Sequence, residues 1–217
     1  MSTRTLNDEV PATGVPQNVA DWRVYPPLAL HPVLTVALHQ IVESGFHATT
    51  VRTIARDVGV TVPALYYHFE NKQAMLVALL DHAMDIVTSH VADALADAGD
   101  DPAERLSVVV EAIVLYMANH PDLAFLDSER RALTTENLAH YAHRRDAVEQ
   151  AVREVIAAGT ADGAFTTPDP DECGRAILTM CQGIAGWYRI GGPISPEEMA
   201  HRYRRIALAV VEYEPRG

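Results

Sequence analysis

Residues Thr49 to Leu76 read TTVRTIARDVGVTVPALYYHFENKQAML, two short helical periods hinged on a glycine. Thr50 is placed to cap a two-turn helix whose Val51, Ile54 and Val58 fall on one face, with Ala55 small enough for a close helix crossing. Gly59 supplies the tight turn, Val60 plugs the core and Thr61 caps the next helix. Pro63 is tolerated there because N–H groups of the first turn have no intrahelical partner. Leu65 and Phe69, four apart, bury one side of that second helix. Its other side then carries Val62, Pro63, Ala64, Tyr67 and His68, a surface whose exposure calls for something to lie against it.

A helix-turn-helix gives that surface a use, because its second helix enters the major groove N-terminal end first and reads base edges. Pro63 and Ala64 suit thymine methyls, and Tyr66, Tyr67 and His68 reach phosphates or bases. Arg52 approaches the DNA backbone from the preceding helix, while Asn71 and Lys72 place an N-cap, a cation and a helix N-terminus at one point, a phosphate clamp. Threonines opening the second helix, Ile54-Ala55, Gly59-Val60, Leu65-Tyr66-Tyr67-His68-Phe69 and Lys72 before a long helix resemble the signature of the TetR/AcrR family. The resemblance covers about residues 31 to 76. It implies that Thr50, Arg52, Thr61, Val62, Pro63, Ala64, Tyr66, Tyr67, His68 and Lys72 hold DNA-contact positions. It also implies a homodimer on a palindromic double-stranded operator, released by a small-molecule effector. The rival from another class is a helical ligand-binding or scaffold protein without operator binding.

Charge qualifies this reading. The formal net charge is −12, yet residues 29–72 are balanced, with Arg52, Arg56 and Lys72 against Glu43, Asp57 and Glu70. The acidity therefore lies almost wholly beyond residue 72, in a part expected to stay off DNA. Three basic residues are few for a DNA-binding module, which argues against tight non-specific binding.

Outward from the module, residues 1–28 mix polar residues with Pro11, Pro16, Pro26 and Pro27, without a period, and are expected to be a flexible arm. The alternatives are that Trp22 and Tyr25 anchor it, or that Arg23 reaches toward DNA. From about His31 onward apolar residues recur at three and four, so the predicted fold is all-α with about nine helices. Residues 29–72 form the predicted three-helix DNA-binding domain and 73–217 a helical effector-binding and dimerisation domain. A first helix ends at Gly45, a long one starts at Asn71, and Pro102 opens a broadly apolar one to Asn119. A short helix runs through about Arg131, Thr135 caps a long one, and Pro170 starts the eighth. Ser195-Pro196-Glu197-Glu198 is a capping box opening the ninth.

The eighth helix is apolar nearly all round, and Gly183 and Gly186 leave room for another helix. With Met199, Tyr203, Ile206, Val210 and Tyr213 of the ninth it makes the expected dimer face, which is also what the family resemblance implies. An effector pocket is expected between the fifth and eighth helices, lined by Val110, Ile113, Val114, Met117, Phe125, Leu138, Tyr141, Met180 and Trp187. Arg145, with Arg130, Arg131 and Arg144, is a candidate for an anionic group, the alternative being ordinary surface ion pairs. The run Trp187 to Pro193 looks like a branch of the family that answers to acyl-CoA thioesters.

No uninterrupted apolar run approaches the roughly 20 residues of a membrane helix, and no secretory leader pattern opens the chain, so a cytoplasmic location is expected. Cys173 and Cys181, eight apart, read as core residues, or less simply as a redox pair across a dimer. His140 and His143 with Glu136 could hold a metal, but nothing completes the ligand set. No Gly-rich phosphate loop, nucleophile elbow or His-Glu-x-x-His run occurs, so neither an enzyme, a cofactor nor a metal is expected.

Overall fold

The structure, a computed structural model, describes residues 21–215; the rest of the expected arm lies outside the described residues. Among these residues the regular structure is helical: α1 (Pro32–Ala48), α2 (Val51–Val58), α3 (Val62–His68), α4 (Lys72–Asp97), α5 (Pro102–Asn119), α6 (Pro121–Phe125), a 3₁₀ turn (Leu126–Ala132), α7 (Thr135–Ala161), α8 (Pro170–Trp187) and α9 (Pro196–Val210).

Local chemistry accounts for most boundaries. Thr50 and Thr53 form a reciprocal capping box on α2, Thr61 caps α3 by accepting from Ala64 N, and Asn71 caps α4 by accepting from Ala74 N. Gly59 closes α2 at φ 82°, a left-handed geometry that a side chain would strain. Gly45 does interrupt α1, with φ 80° and ψ 158°, but one further turn follows to Ala48, pinned by Thr49 onto the Gly45 carbonyl. The cap of α7 is Thr134, one residue before the expected Thr135. At α9 only half the capping box forms: Ser195 Oγ accepts from Glu198 N, while the Glu198 carboxylate turns to Arg202 at 2.7 Å. The expected sixth helix tightens after Phe125 into the 3₁₀ turn, where Arg130 folds back onto the Asp127 carboxylate.

Helix α5 is the centre of the molecule and packs against α4, α6, α7, α8 and α9, which explains its apolar breadth. Helix α4 packs on α1 at its start and on α5 and α7 along its length. It is long and apolar enough to cross a bilayer, but here its apolar side is core: Met75, Leu76, Leu79, Leu80, Val87 and Ala94 are buried. The domain boundary expected at 72/73 thus falls at the first residue of a helix that packs on both sides of it.

Residues 21–28 are not a loose arm. Trp22 is buried, its Nε1 3.5 Å from Asp97 Oδ2 and its carbonyl 2.6 Å from His90 Nδ1. Tyr25 stacks on His90 at 4.2 Å and donates its hydroxyl hydrogen to the Ala112 carbonyl. Arg23, an alternative DNA contact in the sequence, lies over the Trp22 ring and pairs with Glu111 at 2.7 Å. Glu111, buried on α5, also receives Arg204 of α9 at 2.9 Å, so one carboxylate ties the N-terminal segment to two helices.

Candidate functional site

Helix α3 owes its orientation to Leu65, which is fully buried, and to the half-buried Val62 and Phe69. Expected as an outward residue, Val62 instead packs partly against the core. Pro63, Ala64, Tyr66, Tyr67 and His68 are exposed, Tyr67 at 87%. Polar groups of this module hold it in shape. Gln40 of α1 accepts from Thr53 and donates to Asp57 of α2, and His31 Nδ1 accepts from Val33 N to cap α1. The His31 ring stands 4.9 Å from that of His68, and burial followed by the His68 charge holds its pKa below the usual histidine value. Thr50 and Thr61 are exposed, but each hydroxyl is already engaged as a cap, and Arg52 projects into solvent.

Lys72 differs most from its expected role. Its Nζ donates to the carbonyls of Phe46 and Thr49 at 2.6 and 2.7 Å and sits 4.1 Å from the Phe46 ring centroid. Burial lowers its pKa from the ordinary lysine value. The ammonium that sequence assigns to a phosphate is engaged in bracing the turn between α1 and α2.

The residues expected to line an effector pocket are not brought together as one surface. Val110, Ile113, Val114 and Tyr141 are buried core, Met117, Phe125, Met180 and Arg145 are partly buried, and Leu138 and Trp187 are exposed at 40% and 51%. The cause is that α5 packs directly on α8 while α7 turns Leu138 outward. An open surface cleft lies elsewhere, lined by Asp100, Asp101, Pro102, Ala158, Asp162, Ala164 and Tyr213. Three of the four arginines are already answered, Arg130 and Arg145 by Asp127 at 2.6 and 3.5 Å and Arg144 by Asp85, while Arg131 is exposed. His140 pairs with Asp81 at 2.7 Å, and no cluster of metal-ligating side chains occurs among the described residues.

A different polar group occupies the interior beside α4, α5, α6 and α7. Tyr116 and His120 are buried with ring centroids 6.1 Å apart, Tyr25 meets His120 edge-on at 5.4 Å, and the Tyr141 hydroxyl donates to Asp127 at 3.0 Å. Burial, with the charges of His90 and His82, pushes the His120 pKa down to about 4, and burial raises the Tyr116 and Tyr141 phenols well above their usual range. Sequence reasoning named Tyr141 but missed Tyr116, His120, His90 and Glu111; polar residues at interior positions of an otherwise apolar helical stripe were the available signal.

At the surface, α8 and α9 present Trp187 and Ile206 to solvent, and a Cβ added at Gly183 or Gly186 would meet nothing within 4 Å. Cys173 and Cys181 are buried free thiols, and burial pushes the Cys181 pKa up to about 12.

Residues 33–79 match the family model for bacterial regulatory proteins of the tetR family, and residues 99–211, more than half the chain, match the tetracyclin repressor-like C-terminal domain. The chain belongs to the TetR family. It is 27% identical over 185 residues to the HTH-type transcriptional repressor KstR2 of Mycobacterium tuberculosis, covering 84% of this chain and 92% of that protein. The solved structure of that ketosteroid transcriptional regulator superposes with a TM-score of 0.77 at 25% identity, over 87% of this chain and 97% of the other. AibR, solved in complex with isovaleryl coenzyme A and operator DNA, shares the fold at a TM-score of 0.74 and 22% identity, over 84% of this chain and 97% of the other. TetR proteins are DNA-binding transcription regulators and not enzymes. The first family match contains α2, α3 and the start of α4, so the exposed face of α3 falls inside the DNA-binding module.

Proposed function

We propose that this TetR protein is a cytoplasmic, homodimeric repressor that reads a palindromic operator with α3 and is released by a small, largely apolar effector. The observation that carries the proposal is the outer face of α3: Tyr66 and Tyr67 are 48% and 87% exposed beside a fully buried Leu65, and among the described residues Tyr67 meets only the ring of its neighbour His68. Thr50, Arg52, Thr61, Pro63, Ala64, Tyr66, Tyr67 and His68 form the contact surface in this reading, with Val62 and Lys72 supporting it from within. The open glycine edge of α8 with Trp187 and Ile206 is the dimer face.

Release follows from α4. Its first residue braces the turn before α2, and Gln73 donates to the Ala132 carbonyl while accepting from Asn137 of α7. A tilt imposed along α4 therefore moves the module that carries Tyr67. The 26-residue helix is about 39 Å long at about 1.5 Å per residue, so a few degrees displace its end by ångströms. An effector releases DNA only if it binds the displaced state more tightly. An acyl-CoA thioester is the effector class that the AibR complex suggests for this fold.

The test is a gel shift with the DNA upstream of the protein's own gene, repeated with acyl-CoA thioesters and the free acids added. Specific retardation that Tyr67→Ala abolishes, and that a thioester reverses, is the expected result. No retardation of that DNA would favour a ligand-binding protein without an operator. Release by a hydrophilic cation and not by any thioester would overturn the effector class alone.

A further inference from the structure

His31 stands where the docked N-terminal segment gives way to α1. Leu28 and Leu30 before it pack partly against the core, and Pro32 after it confines its backbone to the extended region, at φ −55° and ψ 139°. From that fixed point it touches two helices. Its carbonyl accepts from Thr35 N at 3.0 Å, and its Nδ1 accepts from Val33 N at 3.2 Å. Proline at the first helical position has no N–H, so that of Val33 is the first in α1 that a cap can reach. The same ring meets the end of α3, its centroid 4.9 Å from that of His68 and, edge-on, 5.8 Å from that of Phe69. His68 in turn meets Tyr67 edge-on at 5.4 Å. A series of rings thus runs from the half-buried Phe69 and His31 through the exposed His68 to Tyr67, the most exposed aromatic of the reading face.

The cap sets the charge of this contact. An imidazole Nδ1 accepts a hydrogen bond through a lone pair that it keeps only when the ring is uncharged, with its proton on Nε2. A second proton would remove the acceptor, set a cation against the positive end of α1 and place it beside His68. Burial, followed by the His68 charge, accordingly holds His31 below the usual histidine pKa. Among the described residues His68 is the titratable group that acts on His31, while His39 and Glu43, further along α1, pair with each other at 3.5 Å.

We propose that His31 is a positioning residue for operator reading: its uncharged ring seats His68, and through His68 the Tyr67 ring, at the end of α3, and a proton on His31 releases that seat. This rests on the reading above that α3 meets DNA, and adds to it a residue behind the contact face that makes the face sensitive to pH. The sign follows from the cap. The seat is complete above about pH 6.5, the ordinary histidine value, and is lost as pH falls through the lower value that His31 has in the folded chain.

The experiment is fluorescence anisotropy of the full-length protein on the upstream DNA between pH 8 and pH 5.5, for the wild type, His31→Asn and His31→Phe. His31→Asn keeps a capping acceptor but has no ring and no proton to gain. It should bind about fivefold more weakly than the wild type at pH 8, with the gap narrowing to within about twofold at pH 5.5. His31→Phe keeps the ring contacts and cannot be charged. It should match the wild type at pH 8 and bind more tightly at pH 5.5, the lost cap showing as a lower thermal midpoint. The charge on His68 is common to all three proteins, so the differences between them are what is read. A gap that is absent at pH 8, or that stays constant with pH, makes His31 structural only and overturns this role alone; no retardation by the wild type overturns the operator reading and this role with it. The seat is also read without DNA, by nitrogen NMR of the imidazole rings in the free protein. His31 should carry its proton on Nε2 and titrate at a higher pH in His68→Gln than in the wild type. A proton on Nδ1 of the neutral ring, or a His31 titration indifferent to His68, overturns the seat whether or not the protein binds DNA.

Discussion

The DNA-reading module and the helical domain break the usual rules of burial in opposite directions. Around α3 the polar groups are satisfied, with Thr50, Thr61 and Asn71 capping helices and Lys72 on two carbonyls, while aromatic rings stand in solvent. Around the end of α5 the aromatic rings are buried, with Tyr116 and His120 packed ring against ring and Tyr25 edge-on to His120. Both departures are unfavourable taken alone, since exposed apolar surface and the burial of polar rings each cost free energy. The first is reasonable where something else completes the surface, as a DNA groove would outside the module; the second is met by packing among the rings themselves. The comparison teaches that function in this protein is marked where the chain leaves its own physical chemistry unfinished.

The largest expected effect tests whether the module's outer face depends on its inner one. Leu65→Ala empties a fully buried position and should cost about 2–5 kcal/mol, seen as a lower denaturation midpoint together with lost operator retardation. Operator binding that survives this change would show that α3 does not need its core to present Tyr67. Next is the pH response of the interior. His120 titrates near 4 in the folded chain against an ordinary 6.5, so the native state binds fewer protons than the unfolded one. Its contribution is complete above about pH 6.5 and is lost as pH falls toward 4, a swing of about 3 kcal/mol, with His31 and His82 acting in the same direction. Denaturation curves at pH 7 and pH 4.5 should therefore separate less in His120→Phe than in the wild type; equal separation would remove burial as the cause.

Tyr67→Ala comes third: removal of an almost wholly exposed ring should leave the thermal midpoint in place and weaken operator binding on the order of tenfold, about 1–2 kcal/mol. A drop in stability with unchanged affinity would make Tyr67 structural. The smallest effect separates two roles for Lys72. Lys72→Met should cost about 1 kcal/mol of stability by removing its bonds to Phe46 and Thr49. The dependence of operator affinity on salt should keep its wild-type slope, whereas a direct phosphate contact would lower that slope by about 1.

Much of the module was legible because its determinants are local. The periods of Val51–Val58 and Leu65–Phe69, the glycine between them and the threonine caps all act within four residues of their targets. The misplaced details share another property. Thr134 displaced Thr135 as a cap by one residue, a choice between adjacent hydroxyls that periodicity does not resolve. The supposed pocket residues were correct as apolar positions, yet apolarity alone does not separate packed core such as Val110 from an outer ring such as Trp187.

By itself, then, the sequence determined an all-helical chain, the position of its helix-turn-helix and most of the exposed side of α3, Val62 excepted, because hydrogen bonds and apolar periods a few residues long dictate each. Only the tertiary structure decided that Trp22 and Tyr25 dock on α4 and α5, that Glu111 joins Arg23 to Arg204, that Lys72 braces the turn before α2, and that Tyr116 and His120 lie buried beside Tyr25. Most of these depend on groups dozens of residues apart in the chain. Burial and pairing at such separations are set by how helices pack around α5, a property of the folded whole that no short window of sequence contains.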